Sequence, residues 1–202
     1  MNSNLNESDQ VLDRVIRLTD DVKSADLNGN YFSSQFYIVG LSHLAKVADF
    51  EKHYRDGTEF NILLYCTNGT GWCTIGENSH VILPNQYVVI PATELHVSYG
   101  TQEGCRWSAY ITHFNGDNIA TFNNSFGIDS CSTPADVGIN TKGIEIWEEM
   151  YRLLSRNVSK SSYVHANFCL CHFLASFIFS EEKVVAKEID VLINDTITYM
   201  QK

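Results

Sequence analysis

Along the chain the hydrophobic positions change period twice. Ahead of residue 31 the sequence is polar, and Val11, Val15, Leu18 and Val22 fall on one helical face, which predicts a short amphipathic helix within an N-terminal arm over residues 1–30. From Tyr31 the pattern becomes short aromatic and β-branched runs at roughly ten-residue spacing, punctuated by Gly, Asn and Pro. Asn68-Gly69, between ILLYC and GWCTI, is the strongest hairpin signal, and Gly76-Glu77-Asn78, Pro84-Asn85 and Gly100–Gly104 mark further turns. No alternation of strands with helices points to a parallel sheet. Residues 31–122 therefore read as a small β-sandwich or barrel. In Trp107–His113, strand alternation puts Trp107, Ala109, Ile111 and His113 on one face and Ser108, Tyr110 and Thr112 on the other.

After Phe122 an irregular polar segment gives way to helices, so that residues 123–183 form a second unit. Ile144, Trp147, Met150/Tyr151 and Leu154 make one apolar stripe, with Glu145, Glu148, Glu149 and Arg152 outside it. A second helix, Ser162 to Glu181, is apolar nearly all round and needs cover on two sides, by the barrel and by a partner helix, either its neighbour or a symmetry mate. Residues 184–202 read as a linker and the start of an amphipathic helix (Ile189, Leu192/Ile193, Ile197, Met200) whose apolar stripe reaches the chain end without a cap. The fold class expected is mainly β with C-terminal helices.

Composition narrows the function. A 202-residue chain with 44% hydrophobic and 19% charged residues buries a substantial core. The formal net charge of −10, without a basic run, argues against this stretch gripping phosphates itself. The polar start and the short longest apolar run, Phe173 to Phe179, predict no membrane contact and a cytoplasmic location. The six cysteines (Cys66, Cys73, Cys105, Cys131, Cys169, Cys171) lack a disulfide or zinc spacing and read as small buried hydrophobes.

Pro84–Gly100 is the stretch with most local instruction. Pro84 sets φ, Asn85 tolerates the left-handed conformation, and Pro91 denies a ladder hydrogen bond and turns the chain, delivering His96 at a strand start. Asn85, five residues, Pro91, Ala92, Thr93, two residues and His96 match the second cupin motif in spacing, with Asn and Thr in place of its glycines. The order ILLYCTNGTGW, ILPNQYVVIPATELHVSYG, RWSAYITHFNG, a helix pair and an unfinished ITYMQK helix resembles the N-terminal half of an AraC-family transcription regulator, over about Tyr31 to Lys202. That resemblance implies a cupin-like (jelly-roll) β-barrel followed by an antiparallel helix pair. It also implies a small-molecule effector, a homodimer through the 143–181 helices, and DNA bound only through a helix-turn-helix domain beyond Lys202.

Metal-binding cupins carry His-x-His with a nearby Glu; the nearest match is His53-Tyr54-Arg55 with Glu59, and the guanidinium of Arg55 has no lone pair to offer. No metal or other cofactor is therefore expected. A residual His53/Glu59/His96 triad keeps a metal-dependent isomerase or dioxygenase as the alternative, and a ligand-free interaction module is a third reading. The resemblance places Arg55 where a basic residue contacts sugar in the arabinose-responsive member. Tyr65, His96, Tyr99, Trp107 and His113 complete the candidate ligand-binding set, with a saccharide as the suggested effector. Against these stand a surface ion pair for Arg55 with Asp56 or Glu59, a backbone-satisfied strand end for His96, and ordinary core packing for each aromatic.

Overall fold

The computed structural model of the chain describes residues 13–18, 34–155 and 158–179. Its strands are β1 (Arg14–Arg17), β2 (Tyr37–Val47), β3 (Glu51–Tyr54), β4 (Asn61–Gly69), β5 (Gly71–Ile75), β6 (Asn78–Ile82), β7 (Gln86–Ile90), β8 (Val97–Thr101), β9 (Trp107–Asn115) and β10 (Ala135–Asp136). Its helices are α1 (Ile119–Phe126), α2 (Thr141–Leu154) and α3 (Lys160–Ile178). One sheet has the order β1-β2-β9-β4-β7-β10 and the other β3-β8-β5-β6, with antiparallel pairing throughout. Together they form a cupin-like barrel with helices after it.

The run NILLYC in β4 is apolar on both faces because the larger sheet is covered on both. Ile62, Leu64 and Cys66 point into the barrel, whereas Leu63 and Tyr65 lie under the helices. β9 obeys the alternation read from its sequence: Trp107, Ala109 and Ile111 join the barrel core, and Tyr110 packs on the helical side. The second core joins Leu41, Leu63, Tyr65, Tyr87 and Phe114 of the sheet to Trp147 and Met150 of α2 and Tyr163, Leu170, Phe173 and Phe177 of α3. Each such fully buried side chain contributes about 1.5–3 kcal/mol. Asn140 caps α2 by accepting from Gly143 N at 2.8 Å, and a Ser159/Ser162 capping box starts α3.

Several local expectations are overruled. Arg14–Arg17 is a strand paired with β2, Arg14 opposite His43 and Arg17 opposite Gly40, and not part of a helix. Pairing satisfies the open backbone edge of β2, which outweighs a weak helical stripe; Val11 and Val22 lie outside the described residues, as do residues 184–202. Asn68-Gly69 is no hairpin. β4 slips register between Cys66 and Asn68, and the chain crosses there into the other sheet, with Gly69 at φ 74° against Arg106 O. The hairpin lies at Gly76-Glu77, where Ile75 faces Asn78. Residues 119–126, split between barrel and irregular segment by the sequence reading, are α1, closed by Gly127 in the left-handed conformation. Cys131 and Cys171 are exposed and Cys105 and Cys169 half-buried, so the buried reading holds for Cys66 and Cys73 alone.

Candidate functional site

A cavity of about 270 Å³ opens between the two sheets. The larger sheet supplies Arg17, Val39, Gly40, Ser42, Ile111 and His113, the smaller one Lys52, Tyr54 and Tyr99, and Leu18, Phe50 and Phe60 complete the wall. Six residues back along β9 from His113, about 20 Å by strand rise, Trp107 is wholly buried among Leu44, Cys66 and Cys73. The barrel is thus packed around Trp107 and hollow around His113.

Local backbone explains the hollow. β2 carries a bulge between Ile38 and Gly40, which brings both Val39 and Gly40 to the wall. A Cβ at Gly40 would lie 3.3 Å from His113 Nδ1 and 3.0 Å from Ile16 O, so glycine keeps that edge of the imidazole uncrowded. In β3 the two-residue period aims Lys52 and Tyr54 inward while Glu51 and His53 stay exposed.

His113 is the electrostatic centre. Its ring keeps partial exposure towards the hollow but sits deep in the barrel, and desolvation, reinforced by the Arg17 and Lys52 charges, pushes its pKa down to about 3. It is neutral at physiological pH. Its Nε2 lies 3.4 Å from the Tyr99 hydroxyl. Phe60 meets the imidazole edge-on at 5.2 Å between centroids, and Tyr54 lies 6.3 Å from Tyr99. A neutral imidazole, phenol hydroxyls and cationic side chains thus face one hollow among aromatic rings.

The six candidates from the sequence separate cleanly. Tyr99 and His113 line the cavity together. Tyr65 lies on the opposite face of the sheet, its ring 5.1 Å from Phe177, its hydroxyl accepting from Asn140 N and donating to Gly138 O. Trp107 is barrel core. His96 is exposed, its ring stacked 6.0 Å from His53. Arg55 stands exposed on the turn after β3, because Tyr54 ends the strand and Gly57, at φ 79° against Thr93 O, carries the chain outward. Among the described residues, the basic side chains at the cavity are Arg17 and Lys52 instead. Lys52 could have been found from the alternation of Glu51–Tyr54; Arg17 could not, since only the pairing of β1 brings it there.

Among the described residues, no three His, Cys, Asp or Glu side chains gather to hold a metal ion. His53 instead meets Glu51 at 3.1 Å. A wider depression of about 610 Å³ beside α1 is lined by Ser125, Asp129, Ser132 and Thr133 with Tyr87, Phe126 and Ile178, and Asp129 is its one charged side chain among the described residues.

With this geometry established, comparison with known proteins adds a family. The model of the AraC-like ligand binding domain matches residues 36–155, more than half of the chain. The chain belongs to the AraC-like ligand-binding domain family. The match spans β2 to α2 and so includes every cavity residue except Arg17 and Leu18. Among solved structures, this AraC-like domain is similar to the AraC-like transcriptional activator CuxR (8% identity, 83% of this chain and 61% of that one, TM-score 0.45). It is also similar to the cupin domain of Schizosaccharomyces pombe Cnp3 (14%, 47% and 64%, TM-score 0.33) and to a cupin 2 conserved barrel protein from Leptotrichia buccalis (26%, 39% and 35%, TM-score 0.29). The chain spans less than two thirds of each of these. No curated protein matches it.

Proposed function

We infer that this AraC-like domain senses a small effector in the cavity around His113, as the regulatory part of a transcription regulator and not as an enzyme. The observation that carries this is the hollow of about 270 Å³ with Tyr99 and His113 on its wall, in a barrel otherwise filled by side chains. Its size, just under the roughly 300–1,000 Å³ of ligand pockets, suits a molecule of monosaccharide dimensions. A saccharide fits the chemistry: Tyr54, Phe60 and Tyr99 offer faces to the carbon skeleton, and Ser42, Lys52 and His113 offer hydrogen bonds to its oxygens.

Two strands connect the cavity to the helices. β1 contributes Arg17 to the wall, with Leu18 directly after it, and at its other end Arg14 to Glu148 on α2. β2 contributes Val39 and Gly40, and the adjacent Ile38 is held by α3: its N–H donates to Asn167 Oδ1 at 3.0 Å and its carbonyl accepts from Tyr163 Oη at 3.2 Å. A ligand with different affinity for two arrangements of these strands biases how α2 and α3 dock. In the complete reading those helices pair with a second copy, for which Phe168 and Phe179, 59% and 62% exposed, supply apolar surface, and the pairing sets the geometry of a helix-turn-helix domain on DNA.

Calorimetric titration of the chain with a monosaccharide panel tests the sensor. Binding that is lost in Tyr99→Ala supports it; the absence of heat from every member overturns it. Sedimentation at micromolar concentration showing only a 22.8 kDa species removes the dimer.

A further inference from the structure

We propose that His43 is a pH-sensitive latch on β1. With its imidazole neutral, β1 stays docked along the edge of β2 and against α2; a proton on that imidazole loosens β1, and with it the part of the cavity wall formed by Arg17 and by Leu18 after it. None of the contacts involved depends on what occupies the cavity.

His43 stands where four elements meet. Arg14 of β1 lies opposite it in register, and the backbone N–H of Asp13 donates to its carbonyl at 3.1 Å. Its Nδ1 also meets Asp13 Oδ2 at 3.1 Å. Against the imidazole lie the rings of Tyr110 on β9, 4.5 Å between centroids, and of Trp147 on α2, 6.2 Å. The Arg14 guanidinium packs on that same Trp147 ring at 5.2 Å while it holds Glu148. Among the described residues, the charged and titratable groups facing His43 are therefore Asp13 and Arg14 from β1, Tyr110 from β9 and Glu148 from α2. The side chain keeps only 14% exposure, so a proton placed there has little water to stabilise it.

These groups divide unequally between a docked and a lifted strand. Burial, the largest influence, and the Arg14 charge both disfavour the imidazolium; together they outweigh Asp13 and Glu148, which favour it, and hold the His43 pKa below the ordinary 6.5. Lifting β1 takes the guanidinium away and opens that side of the ring to water. Glu148 stays behind on α2 and, relieved of Arg14, becomes the counter-ion of a charged His43. Proton and guanidinium thus compete for one carboxylate. Because the imidazole's pKa is depressed while β1 is docked, docking is at full strength above about 6.5 and is lost as pH falls from there towards the docked value, by at most about tenfold per pH unit.

Amide hydrogen exchange in the 202-residue chain tests the latch. The N–H groups of Asp13 and Leu18, which donate to His43 O and Val39 O at the two ends of β1, report its docking, and those of Ile62 to Leu64 on β4 report the barrel. From about pH 7.5 to about pH 5.5, protection at Asp13 and Leu18, corrected for the intrinsic exchange rate, is expected to fall at least about threefold relative to β4. His43→Gln, neutral at both pH values, is expected to abolish that fall. Asp13→Asn, which removes a group that favours the imidazolium only while β1 is docked, is expected to deepen it. In the parent chain the His43 ring, followed by NMR, is expected to titrate below 6.5. No fall relative to β4, a tightening of β1 on acidification, a fall that persists in His43→Gln, or a ring that titrates at or above 6.5 overturns the proposal.

Discussion

Arg14 on β1 and Glu148 on α2, 134 positions apart, form a two-pronged ion pair, Nη1 to Oε2 at 2.5 Å and Nη2 to Oε1 at 2.9 Å. The guanidinium also lies 5.2 Å from the ring centroids of Trp147 and Tyr151, and Tyr110 Oη donates to Oε1 at 3.3 Å. By its position on α2, Glu148 reads as a solvent-facing charge. It is instead the anchor of the strand that closes one wall of the cavity.

Because both partners are partly exposed, with side-chain exposures of 26% and 41%, the pair contributes at the surface scale. About 0.2–1 kcal/mol is expected from the ion pair and about 0.5–1 kcal/mol from the cation–π contacts. Arg14→Ala should therefore destabilise the chain by about 1–2 kcal/mol in urea unfolding, and Arg14→Lys by less. The hydrogen bonds from Arg14 hold the Glu148 carboxyl below its ordinary value of 4.5. A lowered carboxylate pKa gives stability that is fully present above about 4.5 and is lost as pH falls through the folded value. Glu148→Gln should remove this part of the acid sensitivity.

The pH dependence has a second source in His113. Its folded pKa of about 3 lies under the ordinary imidazole value of 6.5, with burial the largest cause. Below pH 6.5 the unfolded chain takes up a proton that the folded barrel refuses, so stability falls as pH falls from 6.5 towards 3. The limiting slope is about 1.4 kcal/mol per pH unit. Unfolding free energies across that window should slope less steeply in His113→Gln than in the parent chain; equal slopes would mean that the imidazole is solvated.

The hold of α3 on the β2 bulge is open to a direct measurement. Asn167→Leu deprives Ile38 N–H of its acceptor in a buried setting, for a cost of about 1–3 kcal/mol. Tyr163→Phe removes the donor to Ile38 O and should cost about 0.5–1.5 kcal/mol. Amide hydrogen exchange at Ile38 should accelerate in both variants. In a regulator carrying either change, effector affinity should persist while the response to effector declines.

Ligand binding should ignore Arg55 and depend on β3. Arg55→Ala, on an exposed turn, should change stability by less than about 0.5 kcal/mol and leave calorimetric affinity intact. Tyr54→Ala, which opens the cavity wall, should weaken binding about tenfold or more, the scale of roughly 1.4 kcal/mol per decade. The reverse order of effects would move the site from the cavity to the turn.

What the chain determined by itself is what depends on neighbours a few residues away. Asn85 takes a φ of 66° after Pro84, Gly76 turns the β5–β6 hairpin at φ 59°, and the two-residue period of β9 sends Ile111 and His113 inward. These follow from steric limits on single residues and from strand geometry. The barrel, the helices after it and two of the cavity residues, Tyr99 and His113, were legible on that basis. Tertiary structure alone decided the rest. Asn68-Gly69 carries a hairpin signature but lies where β4 leaves one sheet for the other, and Tyr65 and Trp107 are as aromatic as Tyr99 but fill cores on either side of the larger sheet. Arg17 reaches the cavity, and Arg14 reaches Glu148, only because β1 pairs with β2. Which cation faces the hollow is set by strand pairing between distant segments, and the free energy of that pairing lies in backbone hydrogen bonds and shared burial that no single stretch of sequence contains.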